Sequence, residues 1–407
     1  MRIVFLNITA ALGGAERALL DMLASLREAD PALDLHLILA ADGPLSSRVR
    51  QLGVTVHFAP IPRSLELLGD SSLRSTGRVR AAARLALSSG PAAWAAYRYA
   101  RQLRRLLDDL LPDLIHSNSI KFHLLSRFAG LAKVPLVWHV HDFLGARPLM
   151  AKVLRWASGP LRGAVAISQS VAEDARTVLP GVPIRVVYNA VDTDDFSPGP
   201  GDGPRLDALA GLPNDPSPKL RVGLIATYAR WKGQETFLRA AAHFLKESGI
   251  SSARFYIVGG PIYQTQGSQW SQTELEKLAQ MLGIRSAVAF VPFQQDVAQV
   301  YRALDVVVHA SSQPEPFGRT IVEAMACGKP VVISNAGGAA ELFTDGQDAL
   351  GFPPQDSERL AETVRSLLVD PQKRERLGNA GRATALARFA RRRYGPELLA
   401  FYRDILA

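Results

Sequence analysis

Residues 315–331 are the most informative stretch for the fold, and they read EPFGRTIVEAMACGKPV. Pro316 favours a turn at the start of the segment, and Gly318 allows the backbone to approach a ligand closely. The run from Thr320 to Ala326 is a good helix, and Gly328 suits its end. The stretch therefore predicts a turn followed by a short helix.

Short apolar runs alternate with helical patterns over most of the 407-residue chain. The runs of the first half read as buried strands, and they are Ile3–Leu6, Leu35–Leu39, Val54–Phe58, Leu114–His116, Leu136–Val140, Ala164–Ile167 and Ile184–Tyr188. The pattern resumes later with Arg221–Ile225, Arg254–Val258, Val288–Val291, Val306–Ala310 and Pro330–Ile333. Such alternation predicts parallel sheets covered by helices on both faces. We therefore expect an α/β fold of two Rossmann-like, doubly wound domains facing each other across a cleft that binds the ligand.

A change of composition separates the two sets of strands. Ser197–Pro218 holds six prolines and four glycines in 22 residues, so it has few backbone donors and little to bury. We therefore predict an N-terminal domain over 1–190, a linker over 191–218 and a C-terminal domain over 219–385. Residues 386–407 are predicted as a C-terminal helix that can pack back on the first domain.

The composition is that of an ordinary globular protein, with 47% hydrophobic and 21% charged residues. It excludes a disordered chain, a fibre and a coiled coil, and no apolar run approaches the roughly 18–20 residues of a membrane span. The first six residues are too short for a signal peptide and suit a first buried strand. The single cysteine, Cys327, excludes an internal disulfide and a thiolate zinc cluster, so a reducing cytoplasm is the expected location.

Positive charge is concentrated in the first half of the sequence. Residues 1–190 carry 23 basic and 14 acidic side chains, whereas residues 191–407 carry 24 of each. Residues 71–107 contain no acid, three aromatic residues (Trp94, Tyr97, Tyr99) and eight arginines, namely Arg74, Arg78, Arg80, Arg84, Arg98, Arg101, Arg104 and Arg105. Such a segment suits an anionic membrane surface, and the alternative is the solvated face of a soluble helix pair. Nucleic acid is not expected as a partner, because no RNA- or DNA-binding motif accompanies the charge.

The start of the helix within residues 315–331 carries the strongest functional signal. Backbone N–H groups near Gly318, Arg319 and Thr320 would form a cradle for an anion. Glu323 would lie one to two turns further along, where its carboxylate could hold a vicinal diol. The spacing of Glu315 and Glu323 alone would favour a capped surface helix with incidental carboxylates. The complete string favours a ligand site.

That string resembles the E-x7-E signature of retaining glycosyltransferases of family 4, which adopt the GT-B fold of two Rossmann-like domains. Other stretches resemble the family's pattern in the same order along nearly the whole chain. They are Gly13–Glu16 (GGAE), Trp138–Asp142 (WHVHD), Tyr188–Asp192 (YNAVD), Trp231–Gln234 (WKGQ), Ile257–Gly260 (IVGG) and Gly337–Leu342 (GGAAEL). The resemblance implies a retaining hexosyltransferase whose co-substrate is a UDP- or GDP-linked sugar, with no cofactor and no metal.

The resemblance also implies roles for single residues. Glu323 would bind the donor ribose, and Glu315 would lie near the 3- and 4-hydroxyls of the transferred sugar. The turn from Phe317 to Thr320 would bind the donor, and His141 would lie near the reacting sugar, where it could hold the 6-hydroxyl. A front-face reaction is implied, in which the leaving phosphate takes the acceptor proton and the protein contributes mainly positioning and charge stabilisation.

Gly13 and Gly14 follow the first strand and open a helix. Their backbone amides could form a pocket for a phosphate or a sugar. The alternative is a tight strand-to-helix turn of the kind that many Rossmann-like domains need. The pair is not part of a G-x-G-x-x-G fingerprint, so a dinucleotide cofactor is not expected.

Arg230 and Lys232 follow a strand of the second domain, where two cations could neutralise a pyrophosphate and the charge that grows on the leaving group. The alternative is an ordinary solvated loop. Lys232 before Gly233 fits the family's pattern, which has an arginine five places before the lysine and a glycine just ahead of that arginine. This chain has Thr227 and Ala226 at those places, so Arg230 is the residue that could supply the missing charge.

Two short clusters could in principle bind a metal ion. His139 and His141 point to the same side of a strand, with Asp142 beside them. Asp192 to Asp195 contains a D-x-D. The interpretations we favour are one substrate-binding and one structural histidine for the first cluster, and a solvated turn for the second. Ordinary loop or core positions are expected for His116 and His123.

We therefore expect a glycosyltransferase of the cytoplasm, peripheral on the inner membrane face if the basic segment binds lipid. It would transfer sugar to a saccharide or lipid-linked acceptor in surface polysaccharide or glycolipid assembly. One alternative is a sugar-nucleotide epimerase or phosphorylase on the same fold. Another is a non-catalytic GT-B subunit that scaffolds a partner transferase.

Overall fold

The computed structural model describes residues 1–62, 78–128, 134–213, 220–248, 253–261 and 268–407, with the backbone alone for 78–93. The chain divides into two compact units. The first unit consists of Met1–Ala190 together with Arg391–Ala407, and the second unit is Val191–Ala390. Part of the Arg-rich segment, residues 71–77, lies outside the described residues.

The first unit contains a seven-stranded sheet with the order β3-β2-β1-β4-β5-β6-β7. Its strands are β1 Arg2–Asn7, β2 Asp34–Leu39, β3 Thr55–Phe58, β4 Leu114–Ser117, β5 Leu136–Val140, β6 Leu161–Ala166 and β7 Ile184–Val186, all paired in parallel. The helices between them are α1 Gly14–Ala29, α2 Pro44–Gln51, α3 Arg78–Leu110, α4 Ile120–Phe128, α5 Pro148–Ala157 and α6 Gln169–Val178. The reversal of strand order between β1 and β4 is that of a doubly wound sheet.

The second unit contains a six-stranded sheet with the order β10-β9-β8-β11-β12-β13. Its strands are β8 Leu220–Ile225, β9 Ala253–Val258, β10 Val288–Val291, β11 Val306–His309, β12 Val331–Ser334 and β13 Leu350–Phe352, again all parallel. Its helices are α7 Gly203–Leu209, α8 Gln234–Ser248, α9 Gln272–Met281, α10 Val297–Ala303, α11 Arg319–Ala326, α12 Ser357–Leu368 and α13 Pro371–Arg388. The order reverses between β8 and β11, so this sheet is also doubly wound.

The central strands owe their form to continuous apolar runs. β11 reads Val-Val-Val-His and all four residues are buried, as expected for a parallel strand with helices on both faces. Two parallel, doubly wound sheets confirm the fold class predicted from the alternating pattern. Among the helices that the structure describes, none is both long and apolar enough to cross a bilayer.

The last helix, α14 Tyr394–Leu406, returns the chain to the first unit. It packs on α1, where the Gly395 N–H donates to Ser25 Oγ at 2.8 Å. A Cβ at position 395 would lie 2.3 Å from the Ser25 carbonyl oxygen, so glycine permits this approach. Tyr394 and Tyr402 are fully buried, and the helix therefore completes the first core.

The proline- and glycine-rich stretch that the sequence suggests as a linker contains α7 and belongs to the second unit. Asp207 on α7 accepts a hydrogen bond from Arg221 at 2.8 Å and lies 3.5 Å from Arg254. The Tyr256 hydroxyl also donates to this carboxylate. Two guanidinium groups at the start of β8 and β9 thus hold the stretch against the sheet.

Candidate functional site

The candidate site of the second unit lies where β8 and β11 end, because these neighbouring strands deliver two loops to the same edge of the sheet. The Ser312 N–H donates to the Trp231 carbonyl oxygen at 2.7 Å and ties the loop after β11 to the loop after β8. Ser334 at the end of β12 donates to the Ser311 carbonyl oxygen at 2.7 Å. These bonds fix the loops that carry Lys232 and Glu315.

Glu315 is the centre of this site. Its Oε2 accepts from Lys232 Nζ at 2.7 Å, from Ser311 Oγ at 2.7 Å and from His309 Nε2 at 3.1 Å. Its Oε1 lies 2.9 Å from Lys232 Nζ. Oε2 is saturated, whereas Oε1 keeps capacity for a further donor such as a hydroxyl.

The charge state of Glu315 follows from these partners. Burial alone would raise the pKa of this carboxyl, but the Lys232 ammonium and the hydrogen bond from His309 hold it well below its usual range. Glu315 is therefore an anion at neutral pH. Lys232 supplies the compensating charge, and its ammonium also lies 3.9 Å from the centre of the Trp231 ring.

Two glycines let the backbones meet closely enough to form the site. Gly233 has φ of 79°, and a Cβ there would lie 1.7 Å from the Ala310 carbonyl oxygen. Gly337 has φ of 65°, and a Cβ there would lie 2.7 Å from the Glu315 carbonyl oxygen. Both need positive φ and the absence of a side chain, which explains the glycine-containing sequences at these turns.

Helix α11 begins directly after Gly318, whose φ of 97° is a left-handed conformation. The helix dipole places partial positive charge at the start of α11, so the backbone at Arg319 and Thr320 suits an anion. Glu323, one turn into the helix, is buried and accepts from the Tyr301 hydroxyl at 3.0 Å. The Arg319 Nε lies 3.3 Å from its other oxygen.

The structure does not bring every predicted donor-site residue to this cluster. Arg230 donates to Glu274 at 2.8 Å and its guanidinium lies 3.8 Å from the centre of the Trp270 ring. Phe317 is buried, with its ring 6.1 Å from that of Phe389. In this structure Arg230 is thus engaged at the protein surface, and Phe317 anchors the turn before Gly318.

Sequence reasoning missed three side chains of the site, namely His309, Ser311 and Tyr301. His309 and Ser311 stand just ahead of the E-x7-E stretch, and their position at the end of a predicted strand was the available signal. Tyr301 lies on α10, 22 residues before its partner Glu323, and no local pattern links the two.

The predicted site residues of the first unit follow the carboxyl ends of its strands, with Gly13 and Gly14 after β1 and His141 after β5. Gly13 caps α1, and a Cβ on Gly14 would have no atom of a described residue within 4 Å, so a side chain at this position would meet open space. Glu16, in the first turn, is buried. Burial raises the pKa of its carboxyl, while hydrogen bonds from its own backbone, from the Asn7 side chain and from the Gly13 backbone act in the opposite direction.

His141 belongs to a group of histidines rather than to an isolated pair. Its ring stacks on that of His139 with centroids 4.2 Å apart, and its Nε2 lies 2.8 Å from Asn118 Oδ1. His139 Nδ1 lies 3.1 Å from His116 Nε2, and the opposite nitrogen of His116 lies 2.7 Å from the Tyr402 hydroxyl. His116 and His123 are buried in the interior of the first unit, as expected for ordinary core positions.

Burial keeps these histidines uncharged. It lowers the pKa of His141 to about 4 and the pKa values of His116 and His123 to about 3. The pKa of His139 is also far below its usual value, first because of burial and then because of the neighbouring His141. The group is therefore neutral at physiological pH.

The two clusters considered for a metal have other arrangements. Among the described residues, no three histidine, cysteine or acidic side chains are placed to hold a metal ion. Asp192 Oδ1 accepts from the backbone N–H groups of Asp194 at 3.0 Å and of Asp195 at 3.3 Å. The D-x-D sequence thus forms a turn.

Each unit matches a family model. The model described as Glycosyltransferase Family 4 matches residues 12–195, and the model described as Glycosyl transferases group 1 matches residues 213–384. The first match contains Gly13, Gly14 and His141, and the second contains Lys232, Glu315 and Glu323.

Curated relatives include several D-inositol 3-phosphate glycosyltransferases. The one from Acidothermus cellulolyticus is 37% identical over 229 residues, which are 55% of this chain and 48% of that protein. The one from Frankia alni is 38% identical over 207 residues, which are 49% of this chain and 48% of that protein. The chain therefore spans about half the length of the curated relatives it matches.

Solved structures match over the whole chain. HepE from Anabaena, in complex with UDP-glucose, is 26% identical with a TM-score of 0.78 over 99% of this chain and 100% of that chain. Sucrose-phosphate synthase from Thermosynechococcus elongatus shares the fold with a TM-score of 0.77 at 19% identity, over 99% of this chain and 98% of that chain. This chain therefore has the GT-B fold, and its two halves match the models of a Glycosyltransferase Family 4 domain and a Glycosyl transferases group 1 domain in that order.

Proposed function

We propose that this protein is a retaining glycosyltransferase that moves a hexose or related sugar from a UDP- or GDP-sugar to a saccharide or lipid-linked acceptor. The observation that carries the proposal is the arrangement around Glu315. A buried carboxylate paired with Lys232 lies close in sequence to the helix start at Gly318, at the carboxyl edge of a doubly wound sheet. The likeness to HepE, which was solved with UDP-glucose, supports a nucleotide-sugar donor.

Different residues of the second unit would bind different parts of the donor. The positive end of the α11 helix dipole and the Lys232 ammonium would bind the diphosphate. Glu323, held by Tyr301, would accept hydrogen bonds from the two ribose hydroxyls. Glu315 would use Oε1 to accept a hydroxyl of the transferred sugar, because its Oε2 is already occupied by three donors.

The proposed reaction breaks the bond between the anomeric carbon and the diphosphate oxygen. A bond to the acceptor oxygen forms on the same face of the sugar, and the acceptor proton passes to the departing diphosphate. Negative charge grows on the leaving group, and the helix start and Lys232 would stabilise it. In this scheme no metal ion or cofactor is needed, and Glu315 acts by positioning.

We also propose that the first unit binds the cytoplasmic surface of an anionic membrane. A lipid-linked acceptor in glycolipid or surface polysaccharide assembly would require such binding. Trp94 and Tyr97 on α3 are exposed and stack on each other at 5.8 Å, with Arg98 and Arg101 on the same helix. Helix α5 adds exposed apolar residues at helical spacing, namely Leu149, Val153 and Trp156. Helix α4 contacts both α3 and α5.

A panel of UDP- and GDP-sugars tests the donor, with released nucleotide as the readout and both saccharide and inositol phosphate acceptors present. Transfer with retention of the anomeric configuration is expected for at least one donor. Change of the donor sugar without an acceptor would instead identify an epimerase, and phosphate-dependent cleavage a phosphorylase. A folded protein that is inert with every donor would contradict the proposal and favour a scaffold subunit.

Vesicle co-sedimentation tests the membrane surface. Binding should require anionic lipid and should fall by at least about tenfold when Arg98, Arg101, Arg104 and Arg105 become serine, since each arginine contributes about 1 kcal/mol near such a surface. The matched control replaces four exposed arginines of the second unit, Arg239, Arg285, Arg359 and Arg376. Equal binding by both quadruple variants would remove the membrane proposal.

A further inference from the structure

His141 is connected through two buried amides to a backbone carbonyl. Asn7 Nδ2 donates to the Thr9 carbonyl oxygen at 2.8 Å, and Asn118 Nδ2 donates to Asn7 Oδ1 at 3.0 Å. Asn118 Oδ1 then faces His141 Nε2 at 2.8 Å. Asn7 and Asn118 are both buried, so water does not compete freely for these bonds.

The direction of this relay is fixed at its far end. A carbonyl oxygen can only accept, so Asn7 must present its NH2 group to Thr9 and its oxygen to Asn118. Asn118 must in turn present its NH2 group to Asn7 and its oxygen to His141. His141 is therefore obliged to donate, and the proton lies on Nε2.

The neighbouring rings keep the imidazole neutral and in place. Burial holds the pKa of His141 at about 4, so a second proton on the ring is disfavoured at neutral pH. His139 stacks against the ring at an interplanar angle of 15°, and His139 is itself held by His116. A neutral ring with its proton on Nε2 has a lone pair on Nδ1.

We propose that Asn118 and Asn7 are positioning residues that hold His141 as the neutral Nε2–H tautomer, so that Nδ1 accepts a hydrogen bond from a hydroxyl of a substrate sugar. The inference rests on the proposed function, and it specifies the chemistry of the contact. An uncharged acceptor selects a hydroxyl donor over an anion such as phosphate. Asn118 acts through His141 and needs no contact with substrate.

Nitrogen NMR of the full chain with ¹⁵N-labelled histidine tests the tautomer without any need for turnover. His141→Gln assigns the signals of His141 among the eight histidines. The wild-type protein should show a protonated Nε2 and an unprotonated Nδ1. A protonated Nδ1, or a charged ring at pH 7, would overturn the proposal, and this result does not depend on any variant of the relay.

Asn118→Leu keeps the branched shape of the side chain and removes the oxygen that accepts from His141. A mixture of both tautomers should appear in its spectrum. Ser119→Ala is the matched control, because it removes a neighbouring buried hydroxyl outside the relay and should leave the spectrum unchanged. An unchanged Nε2–H signal in Asn118→Leu would overturn the role of Asn118.

The sugar contact has its own readout. With the intact donor or acceptor, kcat/KM of Asn118→Leu should fall about five- to tenfold, the effect of one hydrogen bond. With a deoxy analogue that lacks the contacted hydroxyl, wild type and variant should be nearly equal. Equal losses for every deoxy analogue would show a merely structural role, and absence of transfer with all donors would overturn the proposed function while the spectrum still decides the tautomer.

Discussion

Lys232 is already an ion-pair partner before any ligand arrives. Its ammonium contacts both oxygens of Glu315, and the carboxylate is almost entirely buried. A diphosphate at this place would share the ammonium with Glu315. Removal of Lys232 would therefore affect both ligand binding and the stability of the second unit.

Lys232→Ala should lower the free energy of unfolding of the second unit by about 3 kcal/mol, because it leaves the Glu315 carboxylate buried and unpaired. The double variant Lys232→Ala with Glu315→Gln should recover part of this loss, since no buried charge then remains. Urea unfolding measures both values. Arg239→Ala, which breaks an exposed pair with Glu235, is the control and should cost less than about 1 kcal/mol.

The free energy of unfolding at acidic pH should depend on Glu315. Its pKa is depressed in the folded protein, so the stability that it contributes is present above the unfolded value of about 4.3 and is lost as the pH falls below it. Unfolding of wild type and Glu315→Gln should therefore be compared at pH 7 and pH 3.5. The variant should lose less stability between the two, and parallel losses would contradict the assigned charge state.

The sequence predicted Lys232, Glu315 and Glu323 because a linear pattern contains them. It could not predict that His309 and Ser311 donate to Glu315, because that contact depends on the bend of the chain after β11. The same holds for the relay from Asn7 to His141, whose members come from three separate strand ends.

Short elements show where pattern reasoning ends. β13, Leu350–Phe352, contains a glycine and three residues in all, too few for an apolar run, and it was missed. α7 is not predicted, because it lies in the proline-rich stretch. The helix forms there because Asp202 caps it and Pro204 lies in its first turn, where proline is tolerated. Longer runs such as β1, β9 and β11 were predicted to within a residue or two of their ends.

The turn from Arg230 to Gly233 should tolerate no side chain at its last position. Gly233→Ala combines a positive φ with a Cβ at 1.7 Å from the Ala310 carbonyl oxygen, so the loops of the site must separate. We expect a loss of several kcal/mol in thermal or urea unfolding. Gly283→Ala has a similar φ of 72°, but no atom of a described residue lies within 4 Å of its added Cβ, and it should cost only about 1 kcal/mol. Equal costs would show that the close approach does not matter.

The stability of the first unit depends on the C-terminal residues of the chain, because Arg391–Ala407 belong to that unit. α14 contributes Tyr394, Leu398, Phe401 and Tyr402 to the hydrophobic core that also contains residues of β1 and β4. The second unit is thus inserted between two parts of the first. Burial of each such side chain contributes about 1.5–3 kcal/mol, so the helix matters on the scale of total stability.

Deletion of residues 391–407 should unfold or loosen the first unit and spare the second. Hydrogen exchange should show lost protection in β1, β4 and β5, with β8, β11 and β12 retained. Asp404→Ser, which removes only an exposed pair with Arg185, is the control and should resemble the full chain. Equal loss of protection in both units would contradict their independence as cores.

Calorimetry of UDP and GDP binding to the full chain tests the central claim most directly. One of the two nucleotides should bind wild type, and Glu323→Gln should weaken that binding by about 10- to 100-fold, because a charged acceptor for the ribose hydroxyls is lost. Arg239→Ala, outside the site, should bind as wild type does. Failure of the folded protein to bind either nucleotide, or equal affinity in Glu323→Gln, would contradict a nucleotide-sugar site at Glu315 and Glu323.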